Sequence, residues 1–391
     1  MLIGLVGKPS VGKSTFFKAC TLADVAIAPY PFTTIKPNQG IGYVKIDCID
    51  KEFGVQCQPR TGYCKNGVRF VPVQLVDVAG LVKDAHKGKG RGNEFMNDLR
   101  EADLLIQILD ASGKTDEGGN PTEGYDVTEE VEFLRDEIDM WIYGILERSW
   151  ASLVRKSRAT KLSLELFNQL SGLKIKEDDV KDIMKKLELS EKGEDWKDSH
   201  ILEFVREIRK KSKPIIIAAN KMDLPGAEEN LKILKDTYPE TFIVPCSADS
   251  ELALREASNH GLIDYTPGDK DFKIKGELSD KQKKALEAIK TNVLNKFGST
   301  GVQEVLNSAT FNFLKYIAVF PAGVNKLADS KGRVLPDCFL VPPGTTALDF
   351  AFKLHTDLGK NFIKAIDVRT KQAVGKEYVL KNRDGIEIIT R

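Results

Sequence analysis

The chain has 391 residues, of which 41% are apolar and 29% charged, and its 58 Lys and Arg nearly balance 57 Asp and Glu to leave a net charge of +1. That is the composition of a soluble globular protein, and the length exceeds one ordinary hydrophobic core, so about two to four domains are expected. No apolar stretch approaches the ~20 residues of a transmembrane helix, which excludes a helical membrane protein.

Met1 leads straight into an apolar run, Leu2-Ile3-Gly4-Leu5-Val6. No signal peptide is expected, and the expected compartment is the cytoplasm. The six cysteines form no C-x-x-C pair. Cys57 and Cys64 flank a turn-rich loop and could be half of a metal site. No second pair and no His follows, so the cysteines are read as reduced thiols.

The first run ends in Gly7-Lys8-Pro9-Ser10-Val11-Gly12-Lys13-Ser14-Thr15, and an apolar helix follows from Thr15 to Cys20. Strand, glycine-bounded loop and helix with G-x-x-x-x-G-K-[ST] spacing make a P-loop. Its backbone N–H groups and the helix N-terminus cradle phosphate, Lys13 reaches the outer phosphates, and the Ser14 hydroxyl ligates Mg²⁺. Gly7, Ser10, Val11, Gly12, Lys13, Ser14 and Thr15 are therefore the phosphate-binding candidates.

A second apolar run, Phe70 to Val76, ends in Asp77-Val78-Ala79-Gly80. There the Asp77 carboxylate can hold Mg²⁺ through water and the Gly80 N–H can meet a γ-phosphate. A strand from Asp103 to Asp110 follows. From Asp116 to Asp139 there are ten acidic residues and one basic residue, Arg135. That segment opens as a loop and becomes amphipathic, with Val127, Val131, Leu134, Ile138, Trp141, Ile142 and Ile145 at helical spacing. Further stripes follow at Leu162-Leu166-Leu170, Val180-Ile183-Met184-Leu187 and Ile201-Phe204-Val205-Ile208. Together they predict a helical insertion over 116–212, most simply packed on its own core.

The run Pro214 to Ala219 ends in Asn220-Lys221-Met222-Asp223, and Phe242-Ile243-Val244 leads to Cys246-Ser247-Ala248. A carboxylate such as Asp223 can accept N1–H and N2–H₂ of guanine together, a donor pair adenine lacks. The small turn at Ser247 and Ala248 suits a backbone N–H facing the guanine O6. These motifs stand in order at strand ends, where open α/β sheets bind ligands. A helical stripe at Leu286, Ile289, Val293 and Phe297 closes this part of the chain.

From about Thr310 the pattern turns to short strands and turns. Ile317 to Phe320, Asp337 to Val341, Ile366 to Val368 and Gly385 to Ile389 read as strands, and Asp329 to Arg333 as a hairpin turn. Thr345 or Thr346 caps a helix carrying Leu348, Phe352 and His355. A small mixed sheet with one helix on a face is a ubiquitin-like architecture. Residues 311–391 carry thirteen Lys and Arg against eight Asp and Glu, an excess suited to weak attraction for phosphate backbones.

Taken together, these strings resemble the Obg/YchF group of translation-factor-related GTPases. The resemblance rests on the P-loop and on Tyr30-Pro31-Phe32-Thr33-Thr34 with Pro37-Asn38-Gln39-Gly40. It continues in Asp77-Val78-Ala79-Gly80-Leu81-Val82, Gly88-Lys89-Gly90-Arg91-Gly92-Asn93-Glu94-Phe95 and Asn220 to Asp223. The C-terminal string Pro342-Pro343-Gly344-Thr345-Thr346-Ala347-Leu348-Asp349-Phe350-Ala351 resembles a TGS domain.

The resemblance implies an α/β P-loop GTPase fold, a mostly parallel sheet with helices on both faces, split by an inserted helical domain and followed by a β-grasp TGS domain. The expected divisions are 1–115 and 213–310 for the GTPase domain, 116–212 for the insertion and 311–391 for the TGS domain. It implies that Thr34 is a second Mg²⁺ ligand beside Ser14 and Asp77, and that Gly88 to Gly92 belong to a mobile switch. GTP and GDP are the implied ligands, and hydrolysis of GTP the implied reaction.

Two departures bear on the chemistry. Ser10 stands where the group has Asn, which leaves potassium dependence open. Leu81 stands where Ras-like GTPases place a water-orienting Gln, so intrinsic hydrolysis is expected to be slow, with His86 the candidate substitute. Lys13, Thr34, Gly80 and His86 form the expected catalytic set. The implied partner is the ribosome or another RNA–protein assembly. No DNA-specific motif is present, and a monomer is expected. A nucleotide-gated RNA-binding module with negligible hydrolysis, or an ATPase of the same group, are the alternative readings.

Overall fold

In the computed structural model the described residues are 1–22, 38–78, 92–329 and 331–391. Thr34, Gly80, Leu81 and His86 lie outside them, as do Gly88 and Gly90. The chain divides into two compact units. The first comprises Met1–Ala19, Lys36–Gly40 and Gln74–Val305, and the second Cys20–Ile35, Ile41–Val73 and Leu306–Arg391.

Strand β1 (Leu2–Val6) leads into helix α1 (Lys13–Thr21). Strands β2 (Gln39–Asp47), β3 (Tyr63–Lys65) and β4 (Val68–Asp77) follow, and β2 and β4 each supply residues to both units. The first unit continues with α2 (Gly92–Glu101), β5 (Leu104–Asp110), α3 (Val127–Ser157), α4 (Leu162–Leu170), α5 (Glu177–Lys186) and α6 (Asp198–Ser212). Then come β6 (Ile215–Asn220), α7 (Ala227–Thr237), β7 (Ile243–Pro245) and α8 (Ala248–Asn259). A short hairpin, β8 (Ile263–Asp264) with β9 (Lys273–Ile274), precedes α9 (Asp280–Ile289), α10 (Asn295–Phe297) and α11 (Val302–Asn307).

Gln74 to Asp77 of β4 pair with β1, and β1, β5, β6 and β7 then follow side by side, every pairing parallel. β5 is buried at all seven positions, Leu104 to Asp110, as a central parallel strand covered on both faces must be. Because the strands are parallel, the carboxyl ends of β1, β4, β5, β6 and β7 open on one edge of the sheet.

α3 starts where the Asp126 carboxylate accepts the Thr128 N–H at 2.9 Å. Glu129 and Glu130 in its first turn and Arg155 and Lys156 in its last complement the helix dipole. The expected stripes are all inside: Ile142, Leu166, Val180 and Phe204 are fully buried. They do not form a core of their own, however. One apolar cluster joins them to Phe95 and Leu99 of α2 and to Val6 and Leu105 of the sheet.

In the second unit, β10 (Ile317–Pro321), β11 (Phe339–Val341), α12 (Ala347–Leu354), α13 (Thr356–Lys360), β12 (Phe362–Asp367), β13 (Ala373–Val374) and β14 (Gly385–Thr390) form a five-stranded mixed sheet with a helix. The order is β11-β10-β14-β12-β13, with only β10 and β14 parallel. α12 begins with a capping box: Asp349 N–H donates to Thr346 Oγ1 at 3.2 Å and Thr346 N–H donates to Asp349 Oδ2 at 3.0 Å. The helix turns Ala347, Phe350 and Ala351 inward against Val319, Val341 and Ile386, and leaves Phe352 46% exposed.

Ile41–Val73 belongs to this second unit. β3 and β4 form a hairpin around Asn66 and Gly67, both at positive φ (53° and 76°), as a two-residue Asn-Gly turn requires. Arg69, fully buried, donates to the carbonyls of Leu335 at 3.1 Å and Pro336 at 2.8 Å. Arg60 pairs with Asp337, and Glu52 accepts from Arg369 and Arg383.

The protein's three tryptophans, Trp141, Trp150 and Trp196, all lie in the helical segment between β5 and β6, so their fluorescence reports its unfolding. Leu166→Ala should cost about 2–5 kcal/mol there through lost burial and a residual cavity. The check is the denaturant midpoint of the tryptophan transition, which should fall; an unchanged midpoint would mean that α4 does not pack as described.

Candidate functional site

The loop between β1 and α1 doubles back with Ser10 at φ 65° and Gly12 at φ 92°. A Cβ on Gly12 would lie 2.4 Å from Asn220 Nδ2, and one on Gly7 would lie 2.4 Å from the Ile108 carbonyl oxygen. Glycine at these positions therefore lets the loop lie against β5 and β6. Lys13, at the start of α1, pairs its ammonium with Asp77 Oδ1 at the end of β4. Asn38 steadies that end: its carbonyl oxygen accepts the Asp77 N–H at 2.8 Å and its Nδ2 donates to Asp98 Oδ2 at 2.9 Å.

At the end of β6, Asn220 is 3% exposed. Its Nδ2 donates to the Val11 carbonyl at 2.8 Å, and its Oδ1 accepts the Ala248 N–H at 2.9 Å. One side chain thus ties the phosphate-type loop to the turn that follows β7. Ser247 caps α8 by accepting the Ser250 N–H at 3.4 Å, and its Oγ donates to Asp223 Oδ1 at 2.7 Å. The Ser247 N–H donates to the Thr300 carbonyl at 2.9 Å. Lys221, at φ 64°, extends its ammonium to Asp110 Oδ2 at 2.7 Å. Of the residues singled out from sequence, Gly7 to Thr15, Asp77, Asn220, Lys221, Asp223, Ser247 and Ala248 are gathered on one edge of the sheet. Thr34, Gly80 and His86 fall outside the described residues.

Two supporting pairs escaped the sequence reading. Asp110 ends β5 fully buried and accepts from Ser112 Oγ at 2.5 Å, Thr115 Oγ1 at 2.8 Å and Lys221. Burial alone would raise its pKa, but the hydrogen bonds from Lys221, Ser112 and Thr115 outweigh burial and hold it below the ordinary carboxylate value. Its place at a strand's carboxyl end was visible; its partners, brought in by a turn and by β6, were not. Lys8, in a variable position of the loop, is 5% exposed, pairs with Glu130 Oε1 at 2.5 Å and donates to the Thr115 carbonyl at 2.7 Å. Burial pushes the Glu130 carboxyl up to about 7, against the pull of Lys8.

The arrangement offers backbone N–H groups and Lys13 at one end and an amide–carboxylate pair at the other. The Ser14 hydroxyl and the Asp77 carboxylate are hard oxygen donors of the kind Mg²⁺ takes. The Lys13–Asp77 pair marks where a cation and an anionic ligand would each find a counter-charge, so the residues present fit Mg²⁺.

The amino-terminal segment, residues 2–143, matches a family model described as a 50S ribosome-binding GTPase. Residues 218–323 match the G4 motif-containing domain of Obg-like GTPases, and residues 328–390 match the TGS domain. A GTP-binding protein of Methanocaldococcus jannaschii is 48% identical over 391 residues, 100% of this chain and 99% of its own. The chain belongs to the Obg-like, YchF-related family of P-loop GTPases. Another relative, a GTP-binding protein of Schizosaccharomyces pombe, is 41% identical over 89% of this chain and 88% of its own. The ribosome-binding ATPase YchF of Buchnera aphidicola is 25% identical over 93% of this chain and 86% of its own. A crystal structure of a GTP-binding protein from Pyrococcus horikoshii superposes with a TM-score of 0.78 at 40% identity, each chain covered over 100% of its length. The Obg/YchF fold, with its P-loop GTPase unit and TGS domain, is therefore the fold of this chain.

Within that fold, Asp110 gives a pH-dependent prediction. Its folded pKa is lowered, so its contribution to stability is present above the unfolded value of ~3.9 and is lost as pH falls below it. Asp110→Asn should destabilise the neutral protein by about 1.5–3 kcal/mol, the scale of a charge-assisted hydrogen bond. The gap between wild type and variant should shrink below about pH 4. Urea melts across pH 3 to 7 check it, and a gap that widens on acidification would contradict the assignment.

Proposed function

We propose that this P-loop nucleoside triphosphatase is a Mg²⁺-dependent, guanine-specific switch that hydrolyses GTP to GDP and phosphate. The observation that carries guanine specificity is the joined base-side unit. Asn220 holds the turn at Ala248, and Ser247 holds Asp223 by its Oδ1, so a carboxylate is oriented at the strand ends. Asp223 accepts the two donors of the guanine edge, Lys221 flanks the base, and Ser247 and Ala248 border its O6 side. Gly7, Ser10, Val11, Gly12 and Thr15 line the phosphates. Lys13 exchanges its pairing with Asp77 for the outer phosphates, which leaves Asp77 with Ser14 and Thr34 to hold the cation. The bound Mg²⁺ supplies charge neutralisation on the β- and γ-phosphates.

Thr34 and Gly80 sense the γ-phosphate, and loss of that phosphate releases the segments that carry them. Leu81 cannot orient a water molecule, so turnover without a partner is slow and His86 is the residue able to assist. The reader of the switch is a ribosome in the cytoplasm, and the protein acts as a monomer. The support is that the YchF relatives are named ribosome-binding ATPases and that the matching GTPase family is described as 50S ribosome-binding. The charge excess of 311–391 is small, and Glu52, from outside that segment, meets Arg369 and Arg383, so the attraction is modest.

Those relatives are named ATPases, which makes base preference the decisive measurement. GDP should bind more tightly than ADP, and Asp223→Ala should weaken GDP by about 1–3 kcal/mol for each charge-assisted bond lost, with little effect on ADP. Equal affinities for the two nucleotides in the wild type would replace the guanine assignment with an ATPase of the same family.

Single-turnover hydrolysis of the isolated protein should run on the order of 10⁻⁴ to 10⁻² per second. Several turnovers per second without a partner would refute the slow switch. No measurable hydrolysis, with or without ribosomes, would leave a nucleotide-gated binding module. In a pelleting assay with ribosomes, the full chain should sediment more with a non-hydrolysable GTP analogue than with GDP, and less at moderate than at low salt. Sedimentation indifferent to nucleotide and salt would dismiss the ribosomal role.

A further inference from the structure

The stretch from Cys48 to Cys64 contains one short helical turn, Ile49–Phe53, and the three-residue strand β3. Yet it buries three thiols and a carboxylate together. Cys48, Cys57 and Asp50 are 2%, 4% and 1% exposed, and Cys64 is half-buried. Their ligand atoms all lie within 4.8 Å of one another. Among the described residues this is the one such group of His, Cys, Asp and Glu side chains. Sequence alone offered only Cys57 and Cys64; folding adds Cys48 and Asp50.

The distances suit one central ion. Cys48 Sγ and Cys57 Sγ are 3.7 Å apart, and Cys64 Sγ and Asp50 Oδ2 are 3.8 Å apart. Two thiolates at 2.3 Å from a tetrahedral ion stand ~3.8 Å apart, whereas a disulfide needs ~2.05 Å. The backbone holds each ligand in place. The Cys48 N–H donates to the Gly67 carbonyl at 2.9 Å, Cys57 N–H to Asp50 Oδ2 at 3.3 Å, and Cys64 is paired with Arg69 across the β3–β4 hairpin.

The charges also call for a cation. Asp50 Oδ1 is buried with no hydrogen-bond partner among the described residues, a costly state for a carboxylate unless a cation meets it. The Arg69 guanidinium is fully buried in the same unit and is hydrogen-bonded to the Leu335 and Pro336 carbonyls.

We propose that Cys48, Cys57, Cys64 and Asp50 form a closed, structural Zn²⁺ site. Three soft thiolates and one carboxylate in tetrahedral reach select Zn²⁺ over Mg²⁺ or Ca²⁺. Four protein ligands leave no open position for catalysis. Binding displaces the thiol protons to solvent, so affinity falls on acidification. The ion clips the end of β2, the helical turn and the β3–β4 hairpin together, in a stretch that has little regular structure to order it.

The test uses the full chain, purified under reducing conditions and reconstituted with Zn²⁺ alone. Elemental analysis should find about one Zn²⁺ per chain, and Cys57→Ser should lose it. Asp50→Asn keeps three thiolates and should weaken Zn²⁺ affinity at least tenfold. Co²⁺ in place of Zn²⁺ should give thiolate-to-cobalt charge-transfer bands and the intense visible bands of a tetrahedral site. A readout free of mutation guards against variants that misfold: in the wild type, Zn²⁺ should shield Cys48, Cys57 and Cys64 from alkylation, and a chelator should restore labelling and lower the melting temperature. Failure of the reduced wild type to take up Zn²⁺ or Co²⁺ overturns the site. So does stoichiometric zinc in folded Cys57→Ser, or a Cys48–Cys57 disulfide in anaerobically purified protein.

Discussion

The Asn220 carboxamide ties together two distant loops: it donates to the Val11 carbonyl, 209 residues back along the chain, and accepts from the Ala248 N–H, 28 residues on. Both hydrogen bonds are buried, where an unpaired amide is costly. Losing either would leave a backbone group of a site loop unsatisfied. The bridge is possible because β1, β6 and β7 run parallel, so that each delivers its loop to the same edge. The parallel sheet is possible in turn because β5 is apolar enough to lie buried along its length with helices on its faces. The phosphate side and the base side are thus held at one spacing by a single amide.

Around that bridge stand three lysines, each met by a carboxylate, and it is the carboxylates that differ in burial, since Lys221 at 24% is more exposed than Lys13 at 15%. Lys8–Glu130 is almost wholly enclosed, with side chains 3% and 5% exposed, and Lys221–Asp110 has its carboxylate at 0%. Exchange of either pair for a ligand would strand a charge away from water, so these two are scaffolding. Lys13–Asp77 is the accessible pair, at 15% and 23%. There a polyphosphate and a hydrated cation can take over each partner without leaving an uncompensated charge. The difference separates the one carboxylate that solvent reaches, Asp77, from the two that are enclosed.

Polar contacts, one of them fully buried, recur in the second unit. Arg69 serves the carbonyls of Leu335 and Pro336, Arg60 meets Asp337, and Glu52 meets two arginines. Residues 41–73 and the C-terminal β-grasp sheet are joined by the buried Arg69 hydrogen bonds and, more weakly, by the exposed ion pairs. The small β-grasp core around Phe350 is one that gains from such supplements.

What could be read in advance follows a physical line. The place of Gly12, Lys13, Asp77, Asn220 and Asp223 beside strand ends was legible because each stands in a short motif that directly follows an apolar run. The four helices between β5 and β6 were legible from periodicity alone, since a buried helical face must repeat near 3.6 residues. Asp110 was visible as a strand end, but its role rests on Lys221 arriving from a neighbouring strand, which no local pattern encodes. The helical stripes gave no sign that their core continues to Val6 and Leu105, because periodicity names a buried face and not its partner. Cys48 and Asp50 were the hardest: the spacings from Cys48 to Cys57 and Cys64 match no compact ligand pair. Only the Asn66–Gly67 hairpin and the turn at Ile49–Phe53 bring them within reach of one another. Where ligands are gathered by tertiary folding rather than by one loop, the signal in the sequence is the absence of any other explanation for burying them.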